Sequence, residues 1–199
     1  LNAIKEVTVN STDPDNPSQS ASPQTPAQKQ QEEPIENLLK LDPLQIELGY
    51  GLVHLADKRK GGDLLTRITG IRKNFAKEMG MVVPPIKVRD NLQMKPNHYR
   101  FIFKGEEIVQ GEIIPGQSLA MNATESTTIL KGVPTVEPVY NLPATWIAES
   151  EKKKAELNGY TVVDATTVLV THLSETVKRN AAELLGRQDV QSLLDHVKE

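Results

Sequence analysis

GGDLLTRITGIRKNFAKEMGMVVPPIKVRDNLQMKPNHYRFIFKGEEIVQGEII, residues 61–114, is the stretch from which the fold is read. Its first third has helical periodicity: Leu64, Ile68, Ile71, Phe75 and Met79 recur at three- and four-residue spacing, the spacing of one helix face. Asp63 follows two glycines as a candidate cap, and Gly80 is a candidate stop. VVPPIKVRDN then predicts a strand entered through Pro84 and Pro85. HYRFIFKGEEIVQGEII predicts a β-hairpin turning at Lys104, Gly105 and Glu106. A helix, a strand and a hairpin, each with one apolar face, must bury those faces against one another, so the fold class is α+β.

On the N-terminal side, ELGYGLVHLAD has the Gly-punctuated apolar character of a strand and its approach, and the globular part is placed from about Ile35. Between Ser11 and Pro34 there are five prolines, five glutamines and no Leu, Ile, Val or aromatic residue. Such a stretch buries too little apolar surface to offset ordering entropy of roughly 1–2 kcal/mol per residue. Residues 1–34 therefore read as a flexible linker, which suggests a piece that follows another domain.

Beyond Pro115 come short strand-like pieces, PGQSLAMN and VPTVEPVYNL, then a lysine-rich helix read over TWIAESEKKKAELN, with Gly159 closing it and YTVV returning as a strand. DATTVLVTHLSETVKRNAAELL is predicted as one helix capped by Asp164, with Val168, Leu169, His172, Leu173, Val177, Ala181 and Leu184 on a broad apolar face and Gly186 as its stop. Arg187 to Glu199 begins another amphipathic helix whose apolar side has no later partner, as if the next subdomain were cut short.

Composition narrows the chemistry. The chain has no cysteine, so disulfides and thiol catalysis are excluded and no redox compartment is fixed. No run approaches the roughly 18–20 apolar residues that span a bilayer. The net charge of −3 gives no global attraction to a polyanion. His54, His98, His172 and His196 are scattered without ligand spacing, and His172 reads as a hydrogen-bonded core residue. Asp42, Asp63, Asp90 and Asp164 sit at element boundaries, where carboxylates cap and turn the backbone. No nucleophile elbow, phosphate-binding loop or dinucleotide fingerprint occurs, and Gly61-Gly62 before a helix is a weak signal. The reading is non-enzymatic, with no catalytic residue, metal or cofactor. Two basic clusters, Lys58-Arg59-Lys60 and Lys152-Lys153-Lys154, together with the arginine-bearing helix, leave a nucleic-acid module as the alternative. Three Phe, four Tyr and one Trp offer little stacking surface for it, so solvated faces are the simpler reading.

Residues 61–122, and after them LPATWI, GYTVVDATTVLVTHLSE and AAELLGRQDVQSLLD, resemble in order and spacing the cytosolic region of the export-gate family of bacterial type III secretion. The resemblance covers about Leu41 to Glu199, and the LPATWI and THLSE versions look more flagellar than injectisome-like. It implies a membrane protein whose N-terminal half spans the bacterial inner membrane and whose cytosolic half, joined by a linker, has four subdomains and forms a nonameric ring. On this pattern residues 35–114 and 164–185 make the first subdomain, 115–163 an inserted second, and 186–199 the start of the third.

The implied function is a docking platform of the protein export gate, which receives export chaperones with bound late substrates and helps order export beside other export-apparatus proteins. By resemblance the chaperone site falls on Glu137, Tyr140 and Thr171, in a groove between the first two subdomains. The residue types suit it: Tyr140 as an amphipathic anchor, Glu137 as a rim charge, Thr171 as a hydroxyl beside the helix face. Each also has a plain structural alternative: packing for Tyr140, a solvated loop charge for Glu137, and a bond to its own helix backbone for Thr171.

Overall fold

The computed structural model describes residues 42–122 and 129–184. The linker reading of residues 1–34, the stop at Gly186 and the helix from Arg187 lie outside these residues. Two four-stranded sheets organise the chain. The first has the order β2-β1-β3-β4, with β1 at Leu44–Leu48, β2 at Ile86–Asp90, β3 at His98–Phe103 and β4 at Glu106–Glu112. β1 runs parallel to β2 and antiparallel to β3.

The hairpin forms where predicted. Lys104 and Gly105 both take positive φ, 47° and 91°, the twist that a two-residue hairpin turn requires. Along β3, Tyr99, Phe101 and Phe103 alternate inward into the core. Gly111 stands opposite Tyr99 in the ladder, and a Cβ there would come 2.5 Å from the phenol, so the ring occupies the space that a side chain would fill.

The second sheet has the order β6-β7-β5-β8, with β5 at Gln117–Met121, β6 at Val133–Val136, β7 at Pro143–Ala148 and β8 at Thr161–Asp164. Two long helices, α1 at Leu64–Glu78 and α3 at Ala165–Arg179, pack on each other. α3 also touches β5 and β8. Its buried Val168, Leu169, His172, Leu173 and Val177 share one core with Leu64, Ile68, Ile71 and Phe75 of α1. α2 is short, Lys152–Leu157, and α4 is a single turn, Ala181–Leu184.

Several expectations are corrected. ELGYGLVHLAD supplies only the end of β1; Tyr50–Leu55 is a 3-10 helix, because the Gly49 and Gly51 amides turn to the His98 and Pro96 carbonyls and leave the ladder. Asp63 precedes α1 but does not cap it through its side chain, since its carboxylate takes the Arg67 guanidinium at 2.6 Å. Met79 is 49% exposed beyond the last turn of α1, and Met81 fills the core instead. The lysine-rich helix does not begin at Thr145. Thr145, Trp146 and Ile147 belong to β7, a strand paired on both sides, where β-branched and aromatic residues pack well. The helix read through Leu185 breaks at Asn180, whose side chain and amide both turn back to the Thr176 carbonyl.

Candidate functional site: a pocket between the second sheet and α3

Asp164 ends β8 and caps α3: its carboxylate accepts from the Thr167 amide at 2.9 Å and from the Thr167 hydroxyl. Burial works to raise this carboxyl, but the Thr167 bonds and the nearby Arg67 outweigh it and leave Asp164 below its ordinary range. Arg67 bonds to Asp63, to the Thr167 hydroxyl and to Asp164, so the starts of α1 and α3 are joined. This sets the height at which α3 presents Thr167, Val168 and Thr171.

Opposite that helix face lies the connection from β6 to β7, residues 137–142. Glu137 is only 5% exposed. Its two carboxylate oxygens accept from the backbone amides of Val139, at 2.9 Å, and Tyr140, at 2.7 Å. The chain closes with Glu137 N–H donating to the Leu142 carbonyl and Asn141 N–H to the Glu137 carbonyl, and Asn141 takes positive φ, 57°. From the last turn of α3, Arg179 donates to the Val139 carbonyl at 3.2 Å. The turn is therefore held from inside by Glu137 and from the helix by Arg179. Tyr140 projects from it 62% exposed, a large side chain on a fixed backbone.

The structure brings Glu137, Tyr140 and Thr171 to one small pocket of about 90 Å³, whose other walls are Met121, Val163, Thr167 and Val168. One expectation changes. Glu137 is not a solvated rim charge, because both of its oxygens are committed to backbone amides below the surface. Thr171 does not bond to its helix backbone as Thr176 does with the His172 carbonyl, and its hydroxyl has no partner among the described residues. Val168 falls on the apolar helix face and Met121 in the strand-like piece PGQSLAMN, and nothing in the sequence distinguishes a core-facing from a pocket-facing apolar residue in those elements. Arg179, in the last turn of α3, carries no sequence signal for its reach to Val139.

The lining is largely apolar with hydroxyls at its edge. Among the described residues no group of His, Asp and Glu is placed to hold a metal. No described helix is long and apolar enough to cross a membrane.

Fold, pocket and sequence define the class: the chain belongs to the FHIPEP family, which it matches over residues 3–199. More particularly, it is similar to the flagellar biosynthesis protein FlhA of Bacillus subtilis, 47% identical over 167 residues, covering 84% of this chain and 25% of that protein. It is likewise similar to FlhA of Proteus mirabilis, 48% identical over 156 residues, covering 78% and 22%. The chain thus spans about a quarter of the length of these relatives. The fold is shared with the Chlamydia pneumoniae CdsV protein, TM-score 0.67 at 24% identity, covering 80% of this chain and 48% of that one. It is shared also with nonameric EPEC SctV-C, TM-score 0.54 at 21% identity, covering 79% and 46%.

Proposed function

We propose that this chain is part of a docking platform of a flagellar type III protein export gate, where it receives export chaperones with bound substrates and helps order their export. It works by binding and not by catalysis, and it holds no cofactor. The observation that carries this reading is the pocket of Tyr140, Thr171 and Glu137: an exposed aromatic on a turn braced from two sides, beside an apolar hollow and an unpartnered hydroxyl. Rigid aromatic anchors beside a desolvated pocket are where binding energy concentrates. The similarity to FlhA proteins supports the flagellar assignment, and the nonameric relative of the same fold supports assembly of the longer protein into a homo-oligomeric ring. In that protein the piece would sit on the cytoplasmic face of the bacterial inner membrane, beside other export-apparatus proteins.

Calorimetric titration of flagellar export chaperones, empty and substrate-loaded, into the chain tests the reading. Saturable binding of loaded chaperone is the expected result. No heat and no co-migration with any loaded chaperone would overturn it.

A further inference from the structure

The face of α1 diametrically opposite its core stripe carries Leu65, Thr66, Thr69, Gly70 and Lys73. With Lys58 from the preceding turn these residues line an open hollow of about 450 Å³. We propose that this hollow is a second protein-docking site, separate from the Tyr140 pocket, and that its occupant is an acidic amphipathic helix of a partner protein.

Three observations carry the assignment. The first is charge. Four lysines elsewhere are matched with carboxylates, Lys87 with Asp42, Lys152 with Glu149, Lys154 with Glu151 and Lys178 with Glu175, whereas Lys95, Lys131 and Lys153 stand singly without one among the described residues. What sets the hollow apart is grouping: Lys58 and Lys73 line it, with Lys60 and Lys77 close by in sequence, and none of the four has an ion-pair partner among the described residues. The second is order. The basic turn is built, not loose: the Asp57 carboxylate accepts from the Arg59 amide, and the Lys60 and Gly62 amides both donate to the Asp57 carbonyl at 3.0 Å. The third is shape. Gly70 lies mid-helix, where glycine costs stability, yet a Cβ built on it meets nothing within 4 Å, so no packing within the described residues accounts for it. A bare backbone beside Leu65, which is 39% exposed, admits close approach of another helix carrying an apolar side chain.

The same basic face could meet a nucleic acid, but the hollow favours peptide. No aromatic lines it for stacking, and the Arg59 guanidinium, the group best suited to a phosphate, is turned to Asp57 at 3.5 Å. Carboxylates of an acidic helix would reach Lys58 and Lys73 while its apolar side chain settles over Leu65 and Gly70.

The test is fluorescence anisotropy of the 199-residue chain with a labelled, designed helix bearing leucines at i and i+4 among glutamates. Three comparisons accompany it: the same peptide with Glu→Gln, the same with Leu→Ala, and a short DNA duplex. We expect saturable binding that falls with added salt, and at least a tenfold loss with either altered peptide. The double variant Lys58→Gln/Lys73→Gln should lose as much. Gly70→Leu fills the hollow without touching the core, so it should raise the melting temperature and still abolish binding, which separates a docking effect from misfolding. Tyr140→Ala should leave this binding intact, keeping the result independent of the chaperone pocket. Unchanged affinity in Gly70→Leu, or duplex DNA bound more tightly than the acidic peptide, would overturn the proposal.

Discussion

The phenolic oxygen of Tyr99 lies 2.8 Å from Nδ1 of His172, a buried hydrogen bond that ties the middle of β3 to the middle of α3. The Phe101 ring meets the same imidazole edge-on at 5.4 Å. Burial raises the Tyr99 phenol, which therefore keeps its proton. Burial also lowers His172, Arg179 lowers it further, and Glu137 opposes both without prevailing. The pair is neutral, and the carboxylate of Glu137, which holds the turn that presents Tyr140, acts on both groups.

A pH dependence follows. His172 folds with its pKa below the ordinary 6.5, so as pH falls the unfolded chain takes up this proton first. The stability this residue contributes is present above about pH 6.5 and is lost as pH drops through the folded value. Glu47, which burial alone would raise but which bonds to Asn91 and Arg100 hold low, and Asp164 lose their contributions only in the more acid carboxylate range. Urea midpoints should decline as pH falls below about 6.5 in the wild type and much less in His172→Leu. An equal decline in both would remove His172 from the account.

Phe75→Ala should cost about 3–5 kcal/mol, because Phe75 is buried with Ile71 and Ile68 of α1 against the common core. Chemical denaturation reads this directly. A midpoint within error of wild type would show that the α1 face is assigned wrongly.

This helix face shows what was legible and what was not. The stripe Leu64, Ile68, Ile71, Phe75 repeats at helical period, and the hairpin carries its own turn residues, so both are written locally. The strand at Pro143–Ala148 was not legible as one. Trp146 is buried against the main core on one face of the sheet and Ile147 against Ala120, Leu130 and Ala155 on the other, and TWIA runs without a break into a helical sequence. Glu137 was misread for a different, local reason. A charged residue between Val136 and Pro138 looks like a loop charge until the amides of Val139 and Tyr140 are seen converging on it. The strand error falls where tertiary partners decide the outcome, whereas the Glu137 bonds span only two and three residues within one turn.

Glu137→Gln should therefore act through the turn. An amide supplies one acceptor oxygen where two amide donors converge, so one buried N–H loses its partner at a cost of about 1–3 kcal/mol. Because the group is buried, the loss should be nearly the same at low and high salt. Denaturation at both salt concentrations checks this, and a loss that vanishes at high salt would return Glu137 to the role of a surface charge.

Tyr140→Ala separates binding from stability. The ring is 62% exposed, so removing it takes little from the core, and the Tyr140 amide bond to Glu137 is retained by alanine. Thermal melts should shift little. If the pocket receives a chaperone, truncating the aromatic should weaken loaded-chaperone binding by roughly 1–3 kcal/mol, the range for an interface anchor. Thr171→Val makes the complementary change. It keeps the shape of the pocket wall and removes a hydroxyl that has no internal partner, so any loss it causes comes from a bond made only in the complex. Titration of both variants and of Arg179→Gln, which frees the Val139 carbonyl, would rank anchor, hydroxyl and brace. Wild-type affinity in all three would move the docking surface away from this pocket. A Tyr140→Ala chain that melts far below wild type would instead make the ring a packing residue.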